Sequence, residues 1–391
     1  VAAGTLDASD NNVTVNGNIG ADGANILNIQ IGSAGNAGNA SSFSSAGNIY
    51  SNSITFGNAE SSLVLTAASP VVHGNIVASG SDYGVIDASA NGALIVGNVG
   101  DIEGNAIDGI IIGAGKTVNI QDGNVHTSSV TFNDTDSVFE LSGDVNTTII
   151  VAQAINPATA LSQGSFTVGG AADRTIKANF GTDANAFANF NLGGTGVNTF
   201  ALEKGAQYFT NLKFVGATSS AATFAAGANV TNEVEFTAAD QVLTFGGDST
   251  LTGGINFAAK ASLLVLDSSD KNSTFTGAIS TTTNKTGALE IEGENLFTVA
   301  STVGSNGHAL SSVTVADDAN AAFSSSIYAQ DITVGSGSAK FGGDVNGAIT
   351  LNSGTITVAD EVDINGTIGS ESKAGYLVLD GTTTVSGAIN N

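Results

Sequence analysis

The stretch VNGAITLNSGTITVADEVDINGTI, residues 345–368, decides the fold. Its large apolar residues come in pairs two apart: Ile349 and Leu351, Ile356 and Val358, Val362 and Ile364. A spacing of two places both members of a pair on one face of an extended strand. Between the pairs lie Asn352-Ser353-Gly354 and Ala359-Asp360-Glu361, residues of the kind that turn a chain. The stretch predicts three short strands, each with one apolar side, joined by tight corners. One such unit cannot close a core alone, but a stack of copies can. The expectation is one coil of a parallel β-helix, in which each coil touches only its neighbours.

A short tag recurs along the chain: a Gly or Ser, one residue, then Val or Ile. In the C-terminal part it ends at Ile255, Ile279, Val303, Ile327, Val345, Ile368 and Ile389, and its first three steps are all 24 residues. In the N-terminal part it reads Gly-Asn/Asp-Ile/Val and ends at Ile19, Ile49, Ile76, Val99, Val125 and Val145. Uneven steps mean corner loops of variable length. At 20–30 residues per coil, the 391 residues make roughly 13 to 20 coils. With 51 Gly and no sustained 3.6-residue periodicity, the reading is all-β: a right-handed parallel β-helix, or β-solenoid.

Three stretches differ in texture within what reads as one continuous solenoid. Residues 1–148 are rich in Asn, Gly and Ser. Within them, residues 32–48 (GSAGNAGNASSFSSAGN) hold one large apolar residue, Phe43, and predict a low-complexity loop. Residues 149–235 are less regular and contain Pro157 and Arg174, which suits coils with longer loops or an inserted subdomain. Residues 236–391 hold the most regular coils. There Phe245, Phe257, Phe275, Phe297, Phe323 and Phe341 recur about once per coil, a spacing that predicts rings stacked in the interior. An exposed aromatic strip for carbohydrate is the other reading, and Phe suits it less well than Trp or Tyr.

Net charge is −25, and Arg174 is the only Arg. Such a field repels nucleic acid and anionic membranes. It suits a solvated surface, or acidic faces bridged by divalent cations. The chain has no Cys, which excludes disulfides, thiolate-bound metal and thiol catalysis. It also has no Met, so it reads as a processed product or as a part of a longer chain. No apolar run approaches the 18 residues of a membrane-spanning helix, so no membrane insertion by this segment is expected.

Catalytic and metal constellations are sparse. His73, His126 and His308 are far apart and lack metal-ligand spacing. The acidic clusters Asp7/Asp10, Asp134/Asp136, Asp267/Asp270 and Asp360/Glu361/Asp363 fit no EF-hand, and read as solvated turns, with Ca²⁺ at the turns as the other reading. Parallel β-helices include polysaccharide lyases and hydrolases. Arg174-Thr175-Ile176-Lys177 is similar to the Arg-Ile-Lys of polygalacturonases, with an extra Thr. Their Gly-His-Gly would fall at Gly307-His308-Ala309, in the wrong order along the chain, and their Asn-Thr-Asp is absent. The enzyme reading is therefore set aside, and no catalytic, cofactor-binding or metal residue is assigned.

Thr302-Val303-Gly304-Ser305-Asn306-Gly307-His308-Ala309-Leu310, followed by Ser312-Val313-Thr314-Val315, resembles repeat phrases of the rickettsial surface cell antigens, autotransporters of the outer membrane protein B type. Ser326-Ile327-Tyr328-Ala329-Gln330-Asp331-Ile332-Thr333-Val334 and Lys340-Phe341-Gly342-Gly343-Asp344-Val345-Asn346 continue in the same manner. The resemblance is clearest over residues 240–391. It implies a solenoid passenger exported across the outer membrane, displayed on the cell surface, and serving as coat and adhesin toward a host-cell receptor. It carries over no adhesion residue. The alternative expectation is a structural subunit that associates with itself end to end in a surface layer or filament.

Overall fold

The computed structural model describes residues 4–9, 12–33, 40–153, 155–157, 163–182, 186–193, 199–203, 205, 207–215, 220–258, 260–370 and 375–390. Among these residues there is no helix. Short strands pair in parallel with strands one coil away, and the described residues form a β-solenoid of about 15 turns. The chain divides into two compact units, Val1–Phe209 and Thr210–Asn391.

In the first unit each coil contributes to three ladders. One carries Ile54, Ile76, Val99, Val125, Ile149 and Ile176. The second carries Phe43, Leu63, Ile86, Ile110 and Val130. The third carries Ile49, Val72, Ile95, Ile120, Leu141 and Val168. All of these side chains are buried. In the second unit the corresponding ladders run through Ile255, Ile279, Val303, Ile327, Val345 and Ile364, through Phe245, Leu266, Ile291, Val315 and Val334, and through Phe275, Val299, Phe323, Phe341 and Val358. Like thus sits on like along the stack, and apolar area is buried coil against coil.

Residues 345–368 fold largely as their pattern predicts. Val345–Leu351 and Thr355–Val358 are strands, and Ile349, Leu351, Ile356 and Val358 point inward. The corners between them use left-handed backbone at Ser353 (φ 68°) and Glu361 (φ 61°). The third predicted strand is shorter: Val362 is buried just past the corner, and pairing begins at Ile364.

The tag turns out to be a corner motif and not a ruler. Val345 pairs with Ile364, whereas Ile368 and Ile389 share a ladder with Ile349. Ile49 pairs with Val72, so Ile76 opens the tag on a different ladder. Val145 is 54% exposed, and the partner of Val125 is Ile149. What the tag specifies is local. A Cβ on Gly123 would lie 1.9 Å from the Gly97 carbonyl oxygen of the adjacent coil, so only Gly lets the two corners touch. The Asn that follows bonds along the stack. The Asn124 amide donates to Asn98 Oδ1 at 2.8 Å, and the Thr148 amide donates to Asn124 Oδ1 at 2.8 Å. Asn98→Ala is expected to cost about 1 kcal/mol, the usual worth of one such bond, and a urea melt of the variant checks it.

Residues 32–48 correct the loop expectation in part. Residues 34–39 lie outside the described set, but Ser42–Ser45 is a strand that pairs with Val13–Val15 and Ser62–Leu65. Ser41, Phe43 and Ser45 all face inward and are buried. The two serines hide the alternation because their hydroxyls are satisfied internally, Ser41 Oγ by the Ser9 carbonyl and Ser45 Oγ by the Gly47 carbonyl.

All 19 Phe are buried. Some meet between coils as predicted, Phe245 beside Phe275 at 6.3 Å and Phe323 beside Phe341 at 5.7 Å, whereas Phe257 stacks at 5.1 Å on Phe236, a ring outside the predicted set. Others do not, since Phe297 pairs with Ala321. The largest ring cluster lies in the less regular part of the first unit, where Phe180 meets Phe166 and Phe190 edge-on, each at 4.9 Å. With every Phe inside, an exposed Phe strip for carbohydrate is ruled out.

Candidate functional site

The residues that carry recognisable chemistry are dispersed by the fold. Among the described residues, no group of three or more His, Asp or Glu is placed to hold a metal ion. The acidic clusters are turn builders. Asp134 Oδ1 accepts from the amides of Asp136 (3.0 Å) and Gly115 (3.1 Å) and from Ser137 Oγ (3.0 Å). The Gly115 bond leads in holding its carboxyl below the usual value. Asp7 accepts from Ser9, Asp267 from Ser269, and Asp360 from the Thr382 amide one coil on. Asp10 lies outside the described residues.

Arg174 is 1% exposed. It faces the corners of its own and the preceding coil, and its guanidinium donates to the carbonyls of Val145 (2.7 Å), Gly143 (2.9 Å), Gly169 (3.3 Å) and Asp173 (3.3 Å). Burial lowers its pKa from the ordinary guanidinium value, while Asp122, Asp144 and Asp173 raise it back. The side chain is an internal clasp with no face toward a substrate. Lys177, the other cation of that segment, pairs with Glu203 at the surface at 3.3 Å.

His126 is tied through Nδ1 to the Asp101 carbonyl oxygen. His308 closes a tight turn by exchanging backbone bonds with Ser305. His73 differs: its ring stacks on Tyr50 of the adjacent coil, centroids 4.9 Å apart and planes 11° from parallel. Both rings are half-exposed. They line an open depression of about 280 Å³ together with Asp22, Gly23, Asn25 and Asn52. A second groove, of about 450 Å³, runs past Pro70, Leu94, Lys116, Asn119 and Glu140.

Burial raises the Glu140 pKa. The folded chain therefore binds that proton more tightly than the unfolded chain does, and stability falls as pH rises from the unfolded to the folded pKa. Glu140→Gln is expected to raise the melting temperature at pH 7, with the gain shrinking as pH falls from the raised folded pKa to the ordinary Glu value, below which it is gone. Paired thermal melts across pH check it.

In the Tyr50 depression an aromatic face, two amides and a carboxylate converge. Sequence reasoning passed over Tyr50 because its neighbours, Ser51 and Asn52, read as ordinary strand and corner residues. No family model matches this chain, and no curated protein or solved structure matches it either.

Proposed function

We propose that this chain is a non-enzymatic bacterial surface protein: a passenger of autotransporter type, exported across the outer membrane, that forms part of the surface coat and adheres to a host-cell receptor. The observation that carries this reading is the division of labour in each coil. The ladders bury an apolar interior, while the corners and outward strand positions hold Asn, Ser, Thr and Asp. A solenoid of this kind presents an extended surface whose loops vary independently of the core. The charge of −25 keeps such a surface soluble and selects against nucleic acid as a partner. The repeat phrases over residues 302–315 and 326–346 support the autotransporter assignment, and the reading requires no cofactor. The test is saturable binding of the purified chain to cultured host cells. Binding that is absent, or that does not saturate, overturns the adhesin role.

A further inference from the structure

We propose that the depression at Tyr50 binds a neutral saccharide. This rests on the adhesin reading and names the chemistry of its partner. The site is built by a recurrent piece of structure. Gly17-Asn18-Ile19-Gly20-Ala21-Asp22-Gly23-Ala24-Asn25-Ile26 aligns without a gap on Ser301-Thr302-Val303-Gly304-Ser305-Asn306-Gly307-His308-Ala309-Leu310. In both, a small hairpin is pinned by a single antiparallel bridge, Ala21 to Ala24 and Ser305 to His308. In both, a left-handed Gly opens the hairpin against an aromatic residue of the next coil. A Cβ on Gly20 would lie 2.4 Å from the Tyr50 carbonyl oxygen, and one on Gly304 would lie 2.2 Å from that of Tyr328. The aromatic amide then bonds back: Tyr50 to the Ile19 carbonyl at 2.8 Å, and Tyr328 to that of Val303 at 2.7 Å. A third version has one extra residue, with Gly100 over His126.

The three versions differ in what surrounds the ring. His126 is engaged by the Asp101 carbonyl. Tyr328 has Asn346 as its register partner and no second ring. Only Tyr50 is backed by another ring, His73, and faces Asn25, Asn52 and Asp22. The Asn25 and Asn52 amides are 3.4 Å apart, a weak contact that a ligand hydroxyl can replace. A sugar offers an apolar C–H face for a ring and hydroxyls that both donate and accept, which amide, phenol and carboxylate groups match. No Lys or Arg lines the depression, Asp22 does, and the chain is strongly acidic. Sialylated and sulfated sugars are therefore disfavoured, and neutral ones fit.

The experiment probes the purified full chain against immobilised neutral, sialylated and sulfated oligosaccharides, alongside binding to host cells. The expected result is retention on neutral members only, weakened at least about tenfold by Tyr50→Ala and measurably by Asn52→Ala at its exposed position, with His126→Ala unchanged. Circular dichroism and melting temperature establish that each variant is folded. No retention on neutral sugars, a preference for anionic ones, or retention unchanged in both Tyr50→Ala and Asn52→Ala overturns the site. Cell binding with no retention on neutral sugars overturns the saccharide site while leaving the adhesin reading standing. Sugar binding without cell binding supports the site and removes the adhesin role.

Discussion

Ile356→Asp is expected to unfold the coils around it, at a cost of at least about 4 kcal/mol, whereas Thr357→Asp is tolerated within about half a kcal/mol. Ile356 is fully buried and stacks between Ala339 and Leu377 of the adjacent coils. A carboxylate there loses the apolar burial of the Ile and finds no partner for its charge. Thr357 is one residue away but on the outer face, half-exposed, with Lys340 beside it in the adjacent coil. The new carboxylate at that position gains a cation instead of losing water. Because each coil touches only its neighbours, the damage should be local, and limited proteolysis should cut near residue 356 before cutting elsewhere. Urea melts give the magnitudes. Equal destabilisation by the two substitutions would contradict the observed facing of the strand.

The second large effect is expected at Arg174. Arg174→Met keeps much of the side-chain volume but removes every donor of the guanidinium. The carbonyls of Val145, Gly143 and Gly169 lose a charged partner, and Asp122, Asp144 and Asp173 lose the cation that offsets them. The guanidinium is buried while the three carboxylates are exposed, so the cost comes mainly from carbonyls left without a donor, about 3–5 kcal/mol together. Arg174→Lys is expected to recover less than half of it, since an ammonium cannot span carbonyls that a planar fork reaches together. Thermal and urea melts decide it. A Met variant within 1 kcal/mol of the parent would mean that the clasp is incidental.

The difference between these residues marks how much the sequence discloses. Ile356 and its neighbours were legible because a period of two converts directly into inside and outside, and because stacked coils need the same pattern again about 20 residues later. The inward serines of strand Ser42–Ser45 were not legible. A small polar residue reads as solvent-facing unless its internal hydrogen bonds are known. The pairing of Ile49 with Val72 instead of Ile76 was hidden for another reason: Gly-Asn-Ile describes a corner, and every coil has more than one corner at which it can occur. Arg174 stood out as the only Arg, but its burial depends on carbonyls that the fold gathers from residues 142 to 173. The Tyr50 depression was the least visible, since its lining comes from three coils and only the paired Gly residues of the hairpin signal it.

The unequal corners bear on heritable variation. Ladder partners lie 30 residues apart at Ile19 and Ile49, but 18 apart at Ile327 and Val345, with the same buried pairing in both places. Lengthening a corner by that difference costs only about half a kcal/mol of closure entropy. Inserting a single residue inside a strand instead turns every following side chain of that strand to the wrong face. Insertions and deletions are thereby filtered by position: lineages can rewrite the outward text of a corner repeatedly while the interior stays in register. Corner variation of this kind changes what the outer surface presents while leaving the fold intact.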